Sequence, residues 1–105
     1  MTIYTKYLGP TSTRGSRIKV WVYWHDRDRM EKTYPYSYTA LDPHDAAVAS
    51  FINEWTSLVT RHFRDDAQSY VLKNPPQGPW YVGESPDSRG NVYTNVRIGR
   101  LGLTD

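Results

Sequence analysis

Cysteine is absent from this chain of 105 residues, and histidine occurs only three times. The absence of cysteine excludes a disulfide framework, a thiolate zinc site and a cysteine nucleophile, and it suits a reducing cytosol. No run of about 18 apolar residues occurs, so no segment is predicted to span a membrane. Residues 1–10 lack the basic and apolar pattern of a signal peptide. We therefore expect one soluble cytoplasmic domain that covers residues 1–105.

Enzyme motifs are also missing. The sequence has no phosphate-binding P-loop, no dinucleotide fingerprint and no nucleophile elbow. The three histidines, His25, His44 and His62, each have aspartates close by in the sequence, but none of these neighbourhoods has a recognised metal-site or nuclease spacing. We therefore predict a protein that is not an enzyme, with no catalytic residues, no metal site and no cofactor. A small metal-dependent nuclease is a third and weaker alternative.

Basic charge and aromatic rings are the two features that the chain has in quantity. The net charge is +2, yet residues 1–40 hold seven Lys or Arg against three Asp or Glu, and residues 41–70 hold two against five. The chain also contains four Trp, nine Tyr and two Phe. A core of this size cannot enclose so many rings, and Tyr and Trp are residues that binding interfaces favour. A binding module is therefore predicted.

The first third of the chain alternates as β-strands do. Three segments rich in β-branched and aromatic residues predict strands, and they cover residues 2–8, 17–25 and 31–39. Pro35 lies within the third segment and cannot donate to a ladder hydrogen bond. We therefore expect this strand at a sheet edge or with a bulge.

A helix and a hairpin are predicted for the remainder. Asp42 is the expected N-cap, with Pro43 at the first helical position. Apolar side chains then recur every three or four residues up to position 63, which predicts one amphipathic helix of about five turns. A short strand over 69–73 is a further candidate, and residues 80–84 and 92–98 predict a hairpin. The expected fold is α+β: an antiparallel sheet of about five strands, in the order β-β-β-α-β-β, with one long amphipathic helix packed on one face.

The polar loop TRGSR, at residues 13–17, is the first candidate binding element. Arg14 and Arg17 flank a glycine and a serine. Arginine forks match phosphate oxygens, and hydroxyl and backbone donors add to them. The alternative is a hairpin loop whose arginines pair with acids of the same chain, such as Asp26 or Asp28.

The second candidate is one face of the second strand. Strand parity separates the apolar side chains at positions 18, 20, 22 and 24, which are expected to pack on the helix, from Lys19, Trp21 and Tyr23. Aromatic rings interleaved with basic side chains on an open sheet bind single-stranded nucleic acids. The alternative is that the C-terminal hairpin covers this face.

Residues 6–19 read KYLGPTSTRGSRIK. This run resembles the KYLGPTxTRGSRIK motif of a family of small proteins from bacteriophages and other mobile elements. In that family a YPY-like segment and an Ala-rich helix follow, and they would correspond here to residues 34–36 and 45–55. The resemblance does not cover the C-terminal third. It implies an accessory protein of a mobile element, in the cytoplasm of a bacterial host, and it implies no activity.

Two functions are compatible with these observations. The first is nucleic-acid binding through the TRGSR loop and the aromatic and basic sheet face, and the predicted binding residues are Arg14, Arg17, Lys19, Trp21, Tyr23, Arg27, Arg29 and Lys32. The alternative is a small inhibitor of a host defence system, such as restriction or CRISPR, that acts by protein–protein contact. A dimer is compatible with either function.

Overall fold

The computed structural model describes residues 1–24, 28–63 and 75–95, and these form an α+β fold. The elements in chain order are β1 (Thr2–Leu8), β2 (Arg17–Tyr23), β3 (Arg29–Pro35), α1 (Pro43–Asn53), α2 (Trp55–Phe63), β4 (Trp80–Glu84) and β5 (Asn91–Asn95). The α+β class and the five-stranded antiparallel sheet are thus confirmed. The candidate strand at 69–73 and the end of the last predicted strand lie outside the described residues.

The five strands form one sheet in the order β3-β2-β1-β5-β4, and all the pairs are antiparallel. This spatial order differs from the chain order, because the C-terminal hairpin joins the sheet beside β1. β3 forms one edge, as Pro35 predicts, and it ends at Pro35 instead of continuing to residue 39.

One face of the sheet packs against the helices, and we call it the inner face. α1 lies across β1 and β2, and α2 contacts β3. The predicted apolar side of β2 is on this face, where Ile18, Val20 and Val22 are fully buried. Trp24 follows them and packs its ring against Trp55, at a centroid distance of 5.6 Å. Each large apolar side chain buried in this way stabilises the fold by roughly 1.5–3 kcal/mol.

The prediction of one long helix is wrong, because the chain forms two shorter helices that meet at Glu54. Asp42 is the N-cap as predicted, since its carboxylate accepts hydrogen bonds from the backbone N–H groups of His44 and Asp45. At Glu54 the backbone leaves helical geometry, with φ −95° and ψ 6°. The Glu54 carboxylate contacts Lys32 Nζ of β3 at 2.7 Å, so the break coincides with a contact to the sheet. Neither described helix is long and apolar enough to cross a bilayer.

The turn between β4 and β5 approaches β1 very closely at Gly90. A Cβ atom on this residue would lie 1.7 Å from the backbone oxygen of Thr5. The approach is fixed by two hydrogen bonds, from Tyr7 N to Arg89 O (2.7 Å) and from Asn91 N to Thr5 Oγ1 (2.9 Å). Only glycine therefore fits at position 90.

We predict that Gly90→Ala lowers the free energy of unfolding by about 2 kcal/mol or more, because the added methyl forces the turn away from β1. Gly83→Ala is the matched control, since a Cβ there meets nothing within 4 Å. We expect it to change stability by less than about 0.5 kcal/mol. Urea denaturation of both variants measures the difference, and equal effects would contradict the close approach at Gly90.

Candidate functional site

The TRGSR loop is a compact exposed turn, and Thr11, two residues before it, holds its backbone. Thr11 Oγ1 accepts hydrogen bonds from the backbone N–H groups of Thr13 (3.3 Å) and Arg14 (3.0 Å). Arg17 Nε donates to Gly15 O at 3.2 Å. Residues 11–15 are exposed. The backbone of the loop is therefore ordered by local contacts, and both guanidinium groups stand at the surface.

The alternative reading, in which the loop arginines pair with nearby acids, has no support in the described residues. There, neither Arg14 nor Arg17 forms an ion pair. Asp28 is instead hydrogen-bonded to His62 Nε2 at 2.8 Å. Asp26 lies outside the described residues.

The face of the sheet opposite to the helices, which we call the outer face, carries a cluster of aromatic rings. Tyr4 and Trp21 are neighbours across β1 and β2, and their rings stack at 5.6 Å with an interplanar angle of 13°. Tyr23 meets Tyr4 edge-on at 5.7 Å. From the β3 side, the Arg29 guanidinium lies 5.4 Å from the centre of the Trp21 ring. Trp21 therefore has neighbours from both flanking strands, whereas Tyr23 is 46% exposed.

Basic side chains surround these rings in loose ion pairs. Glu31 is shared by Arg29 (2.7 Å) and Lys19 (3.9 Å), and Lys6 Nζ lies 3.8 Å from Asp87. Each of these side chains is between a quarter and a half exposed. Pairs of this kind contribute about 0–1 kcal/mol, so their cations exchange partners at little cost.

A groove of about 350 Å³ opens on the outer face beside the stacked rings. Tyr4, Trp21 and Val92 line it from the sheet, and Pro86 lines it from the turn between β4 and β5. Lys6 is a further lining residue. Asp87, which lies 3.8 Å from Lys6, lines the groove as well. The groove therefore combines aromatic and apolar walls, which suit a stacked base, with a cation that is only loosely paired.

The structure brings most of the predicted binding residues to one side of the protein. Arg17, at the start of β2, has the parity of the outer face. Four more of the predicted residues lie on that face: Lys19, Trp21, Tyr23 and Arg29. Arg14 lies in the loop that leads into β2. Lys32 points to the inner face instead, where it contacts Glu54. Arg27 lies outside the described residues.

Sequence reasoning missed three outer-face residues. Tyr4 and Lys6 lie on β1, and Tyr81 on β4 is 59% exposed. The alternation of β1 already separates Tyr4 and Lys6 from the buried Ile3 and Thr5. Their place beside Trp21 and Lys19 depends on the pairing register, which the sequence does not specify.

The two histidines in the described residues are hydrogen-bonded to different parts of the fold. His44 Nδ1 is hydrogen-bonded to Thr5 Oγ1 at 2.8 Å, and His62 pairs with Asp28. His25 lies outside the described residues. Within the described residues no group of three or more His, Asp or Glu side chains is placed to hold a metal ion.

The contact between Lys32 and Glu54 accounts for the place of Lys32. The two side chains are hydrogen-bonded at 2.7 Å, and the Lys32 ammonium holds the pKa of the Glu54 carboxyl below its ordinary value of 4.5. Burial, with the nearby Glu54 charge, raises the pKa of the Tyr34 phenol. This set of polar groups joins β3 to the break between the helices.

We predict a pH-dependent effect of Glu54→Gln on stability. A lowered pKa in the folded state means that the carboxylate stabilises the protein above its unfolded pKa, and that this contribution is lost as pH falls through the folded pKa. The variant should therefore lose less than about 1 kcal/mol at pH 7, because the pair is partly exposed, and should match the wild type near pH 2. Urea denaturation at both values checks this, and an equal loss at both would show that charge is not the cause.

Comparison with protein-family models, with curated proteins and with solved structures finds no match to this chain. The resemblance of residues 6–19 to proteins of mobile elements therefore stays a prediction, and the function is inferred from the chain's own residues.

Proposed function

We propose that the protein binds single-stranded nucleic acid on the outer face of its sheet. The observation that supports this most is the groove beside the Tyr4 and Trp21 stack, with Lys6 among its lining residues. A base placed in this groove would contact aromatic and apolar walls, and such stacking is tolerant of base identity because every base has a π-face.

The cations of β2 and of the loop before it supply the contacts to phosphate. Arg17 and Lys19 lie in sequence along β2, and Arg14 lies in the loop before it. Their partners within the protein are exposed acids or backbone oxygens, which a phosphate can replace. Binding would release counterions from the strand, so affinity would fall as salt rises.

The position of Trp21 restricts which rings of the outer face a base can stack on. The Trp21 ring lies between Tyr4 and Arg29, so a base can reach its flat face only if Arg29 moves. Tyr23 and the open side of Tyr4 are the accessible rings. We therefore assign base stacking to the two tyrosines, and we assign to Trp21 the support of Tyr4.

In the wider setting, we propose an accessory protein of a bacteriophage or another mobile element that acts in a bacterial host. The support for this is the KYLGPTSTRGSRIK run, whose TRGSR part forms the exposed loop described above.

A second candidate is the inhibition of a host protein by direct contact. Its support is the edge strand β4, where Tyr81 is 59% and Val82 is 55% exposed on opposite faces of the sheet. Aromatic side chains are enriched at protein interfaces, and the centres of interfaces are more apolar than the rest of the surface. β4 itself, with the sequence WYVGE, carries no Lys or Arg, so the two candidates differ in their expected salt dependence.

We predict that labelled single strands of DNA or RNA bind with a log–log salt slope of about −2 to −3, which corresponds to three or four phosphate contacts. Arg17→Ala should make the slope less steep by about 0.7. Arg61→Ala is the matched control, since it removes the same charge from α2 and should leave the slope unchanged. Fluorescence anisotropy at several salt concentrations measures all three.

The aromatic contribution has its own control. Tyr23→Ala should weaken binding by about 1–3 kcal/mol if a base stacks there, and Tyr23→Phe, which keeps the ring, should not. Binding no tighter than about 100 μM at moderate salt would be indistinguishable from non-specific attraction and would contradict the proposal. That result would favour the contact with a host protein.

A further inference from the structure

A second cavity, of about 550 Å³, lies where several loops meet at one end of the sheet. Five segments contribute to it: the end of β1, the residue before β2, the segment after β3, the first turn of α1 and the turn before β5. Its aromatic walls are Tyr7, Tyr36 and Tyr38, and its polar lining includes Ser16, His44 and Arg89. The volume is within the range of roughly 300–1,000 Å³ that small-molecule sites occupy.

The aromatic walls are ordered by contacts with each other and with Ser16, the residue before β2. Tyr7 and Tyr36 pack edge to face at 5.6 Å, and Tyr36 and Tyr38 lie 4.9 Å apart at a tilt of 51°. Tyr7 OH is hydrogen-bonded to Ser16 Oγ at 2.9 Å, and Tyr36 N donates to Ser16 O at 3.0 Å. Tyr38 is nevertheless 79% exposed. The cavity wall therefore places the exposed ring of Tyr38 next to the ring of Tyr36, which other side chains hold in position.

The polar side of the cavity is held equally firmly. Thr5 Oγ1 is hydrogen-bonded to His44 Nδ1 at 2.8 Å and accepts from Asn91 N at 2.9 Å, so the imidazole is fixed through one nitrogen. The close approach of Gly90 to Thr5 O sets the turn that presents Arg89. Imidazole, hydroxyl and amide groups are the partners that the edge of a heterocyclic base requires.

The charges of the lining distinguish between two ligand classes. Three tyrosines with Glu84 resemble a box for a quaternary ammonium ion. Arg89 also lines the cavity, however, and in the described part of the chain its guanidinium forms no ion pair. Arg14 lies two residues before Ser16, at the same end of the sheet. Unpaired arginines beside an aromatic wall suit a phosphate attached to a planar ring.

We propose that this cavity binds one nucleotide, with its base against Tyr36 and Tyr38 and its phosphate at Arg89. The site is separate from the outer-face groove, because residues 85–87 line that groove and residues 88–91 line this cavity. It also joins segments that are distant in the sequence, since Tyr7 and Ser16 belong to the KYLGPTSTRGSRIK run and Tyr36 to the YPY segment. The nucleotide is either free or the end of a strand.

Amide chemical shifts of ¹⁵N-labelled protein, titrated with adenosine monophosphate or cytidine monophosphate, test the proposal. We expect shifts centred on Ser16, Tyr36 and residues 88–91, with saturation below a few millimolar. Adenosine without phosphate should bind more weakly. Two oligonucleotides of one sequence, with and without a terminal phosphate, separate the two sources, because both bind the outer face equally and only the phosphate differs. A terminal phosphate that tightens binding more than tenfold, with shifts at residues 88–91, identifies a strand end, and an unchanged affinity with mononucleotide binding retained identifies the free nucleotide. Either result supports the site.

Three variants assign the parts of the cavity. Tyr38→Ala should weaken nucleotide binding about fivefold or more through lost stacking, and the exposure of Tyr38 means that its loss spares the fold. Arg89→Ala should reduce the affinity for the monophosphate and leave that for adenosine unchanged. Arg61→Ala, which removes the same charge as Arg89→Ala but from α2 and outside this cavity, is the control and should change neither.

Several outcomes would overturn the proposal. The first is an absence of shifts at about 5 mM nucleotide, roughly the weakest binding of interest. The others are shifts confined to the outer face and tighter binding of choline than of nucleotide. Strand binding by the outer face is measured separately by anisotropy and by the salt effect of Arg17→Ala. A failure of one site therefore does not mimic a failure of the other.

Discussion

In the part of the chain that the structure describes, both helices pack on one face of the five-stranded sheet, and no second layer of helices or strands covers the side chains of the other face. In the described residues, the helices bury the aliphatic side of β2, and Trp21 is left on the outer face. The sheet reduces the exposure of this ring by placing Tyr4 on one side and Arg29 on the other. Stacking and cation–π contact of this kind each contribute about 0.5–1.5 kcal/mol. The outer face is therefore partly packed and already ordered before any partner arrives.

The turn between β4 and β5 connects this face to the cavity at the end of the sheet. Ser85 and Asp87 are hydrogen-bonded at 2.6 Å, and this hydrogen bond is the main cause of the lowered pKa of Asp87. On the other side of the turn, Gly90 contacts the backbone of Thr5 so closely that no other residue fits. A single turn, anchored on β1 by backbone contacts, thus positions the walls of both candidate sites.

The sequence predicted those parts of the fold that depend on local periodicity. The two faces of β2, the edge position of the strand with Pro35 and the cap at Asp42 all follow from alternation or from one residue's chemistry. The break at Glu54 was not predictable in this way, since no proline or glycine stands near it. It coincides with a contact to Lys32, a residue more than twenty positions away.

The candidate sites show the same division between local and distant information. The exposed TRGSR loop and the outer-face parity of Lys19, Trp21 and Tyr23 could be predicted from the chain alone. The stacking of Tyr4 on Trp21 could not, because it depends on the register between β1 and β2. The tyrosine-lined cavity was likewise missed, since it is built from segments that only the folded chain brings together.

The difference between Lys32 and Arg17 shows why charge alone does not identify a binding residue. Both are cations of the first third of the chain, and both belong to neighbouring strands. Lys32 faces the helices and is engaged by Glu54, so removing it from this contact would leave a carboxylate without its partner beside the buried Tyr34. Arg17 faces outward, and within the described residues its side chain donates to a backbone oxygen in an exposed loop, which water or phosphate can replace. The energetic cost of engaging a ligand is therefore small for Arg17 and larger for Lys32, and strand parity, more than net charge, determines which cations are available.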